Sequence, residues 1–425
     1  MLKHAKPYAE AGWLKALLVY SRGDGGWAME KTGTVLTKQG EALDSFADAQ
    51  AGWAIQSTSL PSGAKEGGLT GGVSCLWATA CESVGSYVNS SSVQVTLAES
   101  WNGVESAIQT TANPTGAKAS HLSGVSCTSL SACTAVGSYT NSAGTEVTLA
   151  EGWNGTAWSI QTTPNPTGAK ASHLSGVSCA SSSACEAIGS DTNSSGVSVT
   201  LAERWNGTEW AIQTTSNPTG ATGSNLYGVS CTASTACTAV GTWRAPFENP
   251  IHHNMVTNQY SLAEVWNGTT WTIKETPNTQ DSEGDTEDVL MGVSCTSTTA
   301  CTAVGEYSRG EAGEEALVER WNGTAWATQT SVFYGNGASL KAVSCASSTV
   351  CDAVGYQLTP AEAHRTLSES WNGTTWATGT TVDPTGTTRD ELSGISCPST
   401  KACVVGGLSE LSKIIGPLSE SSWGF

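Results

Sequence analysis

Positive charge is scarce in this chain: 19 Lys and Arg against 37 Asp and Glu over 425 residues leave a net charge of −18. That balance argues against a nucleic-acid partner, because phosphate binding needs clustered cations. Long apolar runs are lacking too, and no stretch approaches the roughly 18 residues a membrane span requires. The nearest, Trp13-Leu14-Lys15-Ala16-Leu17-Leu18-Val19-Tyr20, is interrupted by Lys15 and followed by charged residues, so no signal peptide is read from it. Gly-x-Ser-x-Gly, His-Glu-x-x-His and a phosphate-cradling Gly-rich loop are absent, which removes the most readable hydrolase and nucleotide signatures. Only 13% of residues are charged and only 4 are Phe.

What the chain has instead is Trp (17), Gly (47), many Ser and Thr, and 14 cysteines. The cysteines form seven Cys-x5-Cys pairs: Cys75/Cys81, Cys127/Cys133, Cys179/Cys185, Cys231/Cys237, Cys295/Cys301, Cys345/Cys351 and Cys397/Cys403. Their first members lie 52, 52, 52, 64, 50 and 52 residues apart. A period near fifty is that of propeller repeats. Two Cys facing each other across a hairpin can meet disulfide geometry, and closing so short a loop stabilises by about 2 kcal/mol. Seven disulfides imply an oxidising compartment and an extracellular protein. Free buried thiols are the alternative; zinc is disfavoured by the spacing.

The second repeat shows the unit. Leu122 to Cys127 reads as a strand, Cys133 to Tyr139 as its hairpin partner, and Val147 to Trp153 as a third strand. Asn154-Gly155, a two-residue hairpin signal, then turns the chain into Trp158 to Thr163. The last repeat stops at Trp423-Gly-Phe425, before its fourth strand, while Ala51-Gly-Trp53-Ala-Ile-Gln-Ser-Thr58 carries that strand's pattern. The expectation is an all-β, seven-bladed β-propeller over 51–425, with four antiparallel strands per blade. Residues 51–58 would complete the last blade and remove its open edge. Residues 1–50 form an extension of unclear structure, with a short helix conceivable over Glu41 to Gln50.

Residues 51–425 resemble the β-propeller superfamily. The Trp-Asn-Gly-Thr-x-Trp turn is similar to the third-to-fourth-strand turn of Asp-box and Kelch-type blades, but has Asn directly before Gly where the Asp-box has Asp two before it. The likeness implies the fold and not the sialidase group. Such repeats also resemble those of exported actinobacterial proteins, which implies no activity.

Residues that recur in every unit read as scaffold. The third-strand glutamates Glu99, Glu151, Glu203, Glu264, Glu319, Glu369 and Glu420 are expected to be buried and hydrogen-bonded. The Asn-Gly-Thr sequons at Asn154, Asn206, Asn267, Asn322 and Asn372 are explained by the turn.

Function is sought where the repeat breaks. The fourth unit inserts Arg244 to Tyr260, with His252 and His253, and an acidic linker follows it with Asp281, Glu283, Asp285, Glu287 and Asp288. His252, His253, Asp281, Glu283 and Asp285 offer ligands to Ca²⁺ through oxygen or to a transition metal through imidazole; a solvated acidic loop is the alternative. Trp243, Phe247 and Tyr260 suit stacking on a sugar. A second ring, from Gly68 through His121, His173, Asn225, Val289 and Ser339 to Glu391, is expected at one mouth of the channel. There His121 and His173 are ligand-binding candidates beside Glu391, although duplication alone accounts for the paired His. The expected function is an extracellular binding module, a monomer, presenting its long-loop face to a glycan or protein. The alternative is a polysaccharide hydrolase or lyase with His252, His253, Asp285 and Glu391 as catalytic candidates.

Overall fold

The computed structural model describes residues 21–22, 53–55, 60–280, 286–308, 313–332, 334–379, 381–411 and 414–423, of which 21–22, 54–55, 411 and 414–423 are described by backbone alone. The segment Glu41 to Gln50 lies outside them. Within them every named regular element is a strand, and no helix is long and apolar enough to cross a membrane.

Each repeat folds into an antiparallel meander. In the second unit Ala119–Ser129, Ala132–Thr140, Glu146–Trp153 and Trp158–Gln161 pair in sequence order. The first hairpin sets Cys127 opposite Cys133, and the pair is a disulfide. The other six pairs are bridged in the same way, Cys75–Cys81, Cys179–Cys185, Cys231–Cys237, Cys295–Cys301, Cys345–Cys351 and Cys397–Cys403, and no cysteine is free. Burial settles what these bridges can do. Cys185 and Cys351 are 0% exposed, and Cys237 and Cys301 are 2% exposed. Strand alternation turns these second cysteines into the apolar clusters between units, with Cys237 against Leu226 and Trp271, Cys301 against Leu290 and Trp326, and Cys351 against Leu340 and Trp376. They therefore belong to the core, while their partners Cys75, Cys127, Cys179 and Cys231 are half-buried.

The Asn-Gly turn differs from the expected two-residue form. Trp153 pairs with Trp158, so the loop holds four residues. Asn154 Oδ1 caps it by accepting from Thr156 N (2.9 Å) and Ala157 N (3.0 Å), while Gly155 takes φ of 94°, which a side chain would resist.

Alternation along the strands decides the rest of the packing. In the innermost strand Leu122 points into the space between units while His121 and Ser123 point towards the axis, half-exposed. Val136 and Ala150 of the second unit pack with Leu174, Val177, Ala187, Leu201 and Trp210 of the third, and the other interfaces repeat that arrangement. Each such Leu buried contributes about 1.5–3 kcal/mol.

The innermost strands Val73–Trp77, Ala119–Ser129, Ala171–Ser181, Gly223–Ala233, Asp288–Ser297, Ala338–Ser347 and Arg389–Ser399 follow one another round the axis, and the last lies against the first. A ring of hydrogen bonds ties them. The N–H of Cys127, Cys179, Cys231, Cys295, Cys345 and Cys397 each donates to the Ser Oγ that precedes the cysteine one unit back, at 2.9–3.0 Å. Cys75 N–H to Ser396 Oγ, 3.0 Å, completes the circle.

The blade count corrects the sequence expectation: the strands form six hydrogen-bonded sheets, not seven. Four sheets have four strands, the first repeat has five because its inner strand is split into Glu66–Gly68 and Val73–Trp77, and the sixth sheet has nine. The sixth and seventh repeats share that wide sheet through a parallel bridge between His364 and Arg389. Polar contacts cross the seam beside it: Arg365 Nη1 lies 2.9 Å from Asp390 Oδ2, and His364 Nδ1 lies 2.5 Å from Glu391 Oε1. On its far side Trp53–Ile55 pairs antiparallel with Ile414–Trp423, and Ser21–Arg22 pairs parallel with the same strand. Trp53 is buried against Leu392, Ile395 and the Cys397–Cys403 disulfide, and its Nε1 donates to Ser368 Oγ at 3.1 Å.

Candidate functional site

Innermost strands begin, second strands end and third strands begin on the same face of the molecule. The register places one residue from each of the first two strands side by side at the mouth: His121 with Ser138, His173 with Ser190, Asn225 with Thr242, Val289 with Glu306, Ser339 with Tyr356 and Glu391 with Leu408. Third strands add Gln94, Glu146, Ser198, Glu314 and His364 near their starts.

These columns make the mouth lopsided. In units one to three it carries mostly small neutral side chains beside Glu146: Gln94 Nε2 donates to Ser86 Oγ at 2.8 Å, and Ser198 Oγ donates to Asn225 Oδ1 of unit four at 2.8 Å. His121 and His173 stand among them, each Nε2 facing a serine hydroxyl, Ser138 at 3.4 Å and Ser190 at 3.3 Å. Burial lowers the His121 pKa from its ordinary value, against the pull of Glu146.

Units five to seven carry charge and an aromatic ring. Lys341 Nζ lies 3.2 Å from Glu306 Oε2 and 5.1 Å above the Tyr356 ring centroid. The Tyr356 hydroxyl donates to Glu314 Oε2 at 3.4 Å, and its ring stacks on His364 at 4.3 Å. His364 lies against Glu391, which accepts from Arg389 Nε at 2.7 Å. The groups thus form one contiguous network around Tyr356. Burial and the charges of Glu306, Glu314 and Glu391 push the Tyr356 phenol far above its ordinary pKa, so it stays a neutral donor. Burial and Glu306 likewise raise Glu314.

Of the sequence candidates, only Glu391 joins this network. His121 and His173 sit in the second and third units, apart from the seam that holds Glu391. The fourth-unit insertion is no open loop but a hairpin continuing the blade, paired out to Glu248 and Met255. His252 and His253 are exposed at its tip, where Asn249 Oδ1 accepts from the Ile251 and His252 N–H groups and His253 takes φ of 51°. Trp243 and Tyr260 are cross-strand partners stacked on each other at 4.8 Å, and Phe247 lies opposite Val256. Asp281, Glu283 and Asp285 lie outside the described residues. The linker resumes at Thr286, whose carbonyl accepts from Gln259 N at 2.8 Å, and Asp288 is buried, accepting from Thr279 N at 2.6 Å. Burial raises the Asp288 pKa to about 6.

Sequence reasoning missed Tyr356, Glu306, Glu314, Lys341, His364 and Arg389. A signal was present: Glu306 and Tyr356 stand in a column that holds Ser86, Ser138, Ser190 and Thr242 in earlier units.

The recurrent glutamates behave otherwise. Glu151, Glu203, Glu264, Glu319 and Glu369 are fully buried between units; Glu151 accepts from Ala112 N at 2.9 Å and Glu369 from Tyr334 Oη at 3.0 Å. Glu99 is buried as well, whereas Glu420 is described by backbone alone. Desolvation lifts Glu151 and Glu264 to about 7 and Glu203 and Glu319 to about 8. Asp352 lies 3.5 Å from Cys403 Sγ, but that sulfur is bridged to Cys397 and offers no thiolate to a metal.

No family model matches the chain. No curated protein matches it either. Its architecture is similar to that of several solved structures. YCF48 bound to D1 peptide aligns with a TM-score of 0.49 and 12% identity, over 89% of this chain and 96% of that one. The Trypanosoma rangeli sialidase in complex with 2,3-difluorosialic acid gives 0.44 and 8%, over 87% and 55%. The GH93 α-L-arabinofuranosidase of Fusarium graminearum, with arabinobiose, gives 0.44 and 9%, over 73% and 95%. With TM-scores below 0.5, these likenesses carry no argument about this chain.

Proposed function

We propose that the protein is a binding β-propeller that takes a carbohydrate at the charged half of its channel mouth. The observation that carries this reading is the network around Tyr356, where an aromatic ring stands among three carboxylates and two cations. Sugar hydroxyls both donate and accept, so they need acceptors such as Glu306, Glu314 and Glu391 beside donors such as Lys341 and Arg389. A sugar's C–H face packs on an aromatic ring. Tyr356, held neutral, serves as a donor and not as a nucleophile. Seven disulfides suit a protein that meets its ligand in an oxidising compartment, outside the cell.

A hydrolase or lyase reading rests on one feature. Burial and Glu306 raise the Glu314 carboxyl above its ordinary value, the direction a general acid uses, with other carboxylates nearby.

A glycan array followed by calorimetry on the hits tests the proposal, with product chromatography alongside. Binding by the wild type, at least about 10-fold weaker in Tyr356→Ala and Glu314→Gln, with no product released, is the expected result. No ligand from a correctly folded sample, or binding that survives both substitutions, would overturn it. Released product would select the enzymatic reading, and capture of a protein in place of a sugar would replace the ligand class.

A further inference from the structure

At the other end of the strands from the mouth, where the first hairpins turn and the third strands finish, successive units meet along a cleft. After unit three the chain itself fills that cleft. Arg204 stands opposite Glu186 in the register, and its Nη1 lies 2.7 Å from Glu186 Oε1. Its guanidinium reaches on to unit four, 5.7 Å from the Trp266 ring centroid. Arg320 of unit five likewise lies 4.7 Å from the Trp371 centroid of unit six, and its Nη2 donates to the Ser348 carbonyl in that unit's first hairpin at 2.6 Å. Under these guanidiniums Trp266 and Trp371 are 6% and 7% exposed. Trp153 and Trp205, which follow units with Ser100 and Gly152 at the Arg position, are only half-buried.

Unit one keeps the carboxylate and lacks the cation. Glu82 takes the place of Glu186, but Ser100 stands opposite it in place of Arg204. Glu82 Oε1 accepts from Gln109 Nε2 at 3.1 Å, and its buried Oε2 has no partner. A cavity of about 180 Å³ opens there, lined by Glu82, Ser100 and, from unit two, Ser129 and Leu130. Leu130 stands where Ser348 stands in unit six, three residues past the first cysteine, and its carbonyl accepts from Trp153 Nε1 at 3.1 Å. Carboxylate, hairpin carbonyl and indole, the groups that hold Arg204 and Arg320, thus all stand at this junction. No other described unit repeats the set with its cation missing. Thr134, Thr238, Thr302 and Val404 replace the carboxylate in units two, four, five and seven, and Asp352 of unit six already accepts from Ser370 Oγ.

We infer that the cleft between units one and two binds the guanidinium of an arginine side chain carried by a partner peptide. Glu82 supplies the carboxylate for a charge-assisted hydrogen bond, the Leu130 carbonyl has a second lone pair to accept another, and Trp153 offers its indole. A planar guanidinium can make these contacts together, which a Lys ammonium cannot. The net charge of −18 favours the approach of a basic peptide. This cleft lies at the far end of the strands from the carbohydrate site, so either proposal stands if the other fails.

The test titrates the full chain with acetyl-Gly-Arg-Gly-amide, followed by ligand-observed NMR, beside the analogues with Lys and with citrulline in place of Arg. The wild type should bind one equivalent of the Arg peptide, saturably, and the other two at least about 5-fold more weakly. Glu82→Gln should weaken binding at least about 10-fold, and Ser100→Arg, which rebuilds the arrangement of unit three, should abolish it. Arg204→Ser should add a second equivalent by opening the cleft after unit three. Each variant is first shown to be folded by circular dichroism. No saturable binding by the wild type, equal binding of the Lys or citrulline analogue, binding that survives Glu82→Gln and Ser100→Arg, or no second equivalent in Arg204→Ser would each overturn the site.

Discussion

Ser396 Oγ accepts a hydrogen bond from the N–H of Cys75 at 3.0 Å, joining residues 321 apart in sequence. Every other Ser-to-Cys bond of the ring links neighbouring units, whereas this one closes the circle. Its removal therefore acts on ring closure and not on one interface among equals. Ser396→Ala leaves the Cys75 N–H without its acceptor and should cost about 1–2 kcal/mol in denaturant unfolding. An unchanged midpoint would show that the bond adds nothing.

The buried glutamates make stability depend on pH in an uncommon direction. Their folded pKa values, about 7 for Glu151 and Glu264 and about 8 for Glu203 and Glu319, exceed the unfolded value near 4.5. Between those limits the folded state holds protons that the unfolded state has lost, so stability falls as pH rises. The contribution is complete below about 4.5 and gone above about 8. Melting temperature should be higher at about pH 5 than at about pH 8.5, and Glu203→Gln should flatten the difference. A melting temperature that climbs over that interval would refute the assignment.

Each disulfide closes a loop of only six residues' separation, so its stabilising effect is modest and nearly equal from unit to unit. Replacing Cys179 and Cys185 together by Ala should cost about 2 kcal/mol by the chain-entropy argument. Loss of folding altogether from that one pair would mean that the disulfides carry more of the fold than the packed Leu and Trp residues do.

Much of this architecture is legible in the sequence because it is local and periodic. The cysteine pairs, the all-β repeat and the buried third-strand glutamates follow from patterns within a few residues. The sheet count is not legible there, because the bridge between His364 and Arg389 depends on how two units meet, and neither residue departs from a strand pattern on its own. The turn after Trp153 reads as a two-residue hairpin, but Asn154 caps through its side chain, which lengthens the loop to Ala157. The site is half visible. His121, His173 and Glu391 stand out as unusual residues at a recognisable position, while Tyr356 and Glu306 stand out only when the second strands of all units are compared.

The hairpin at His252 and His253 should be dispensable for carbohydrate binding, since its tip is exposed and held by Asn249 rather than by the network. Deleting the segment between Glu248 and Met255 in favour of a short turn should leave the affinity of array hits within about 2-fold. A fall of more than about 10-fold would move the site to the hairpin.

Hydrogen–deuterium exchange with and without a glycan hit tests the central claim most directly. Binding at the charged half of the mouth predicts protection at residues 304–308, 314–316, 354–366 and 389–392, with 244–260 unchanged. Protection confined to 244–260, or spread over the outer strands and absent from the mouth, would contradict it.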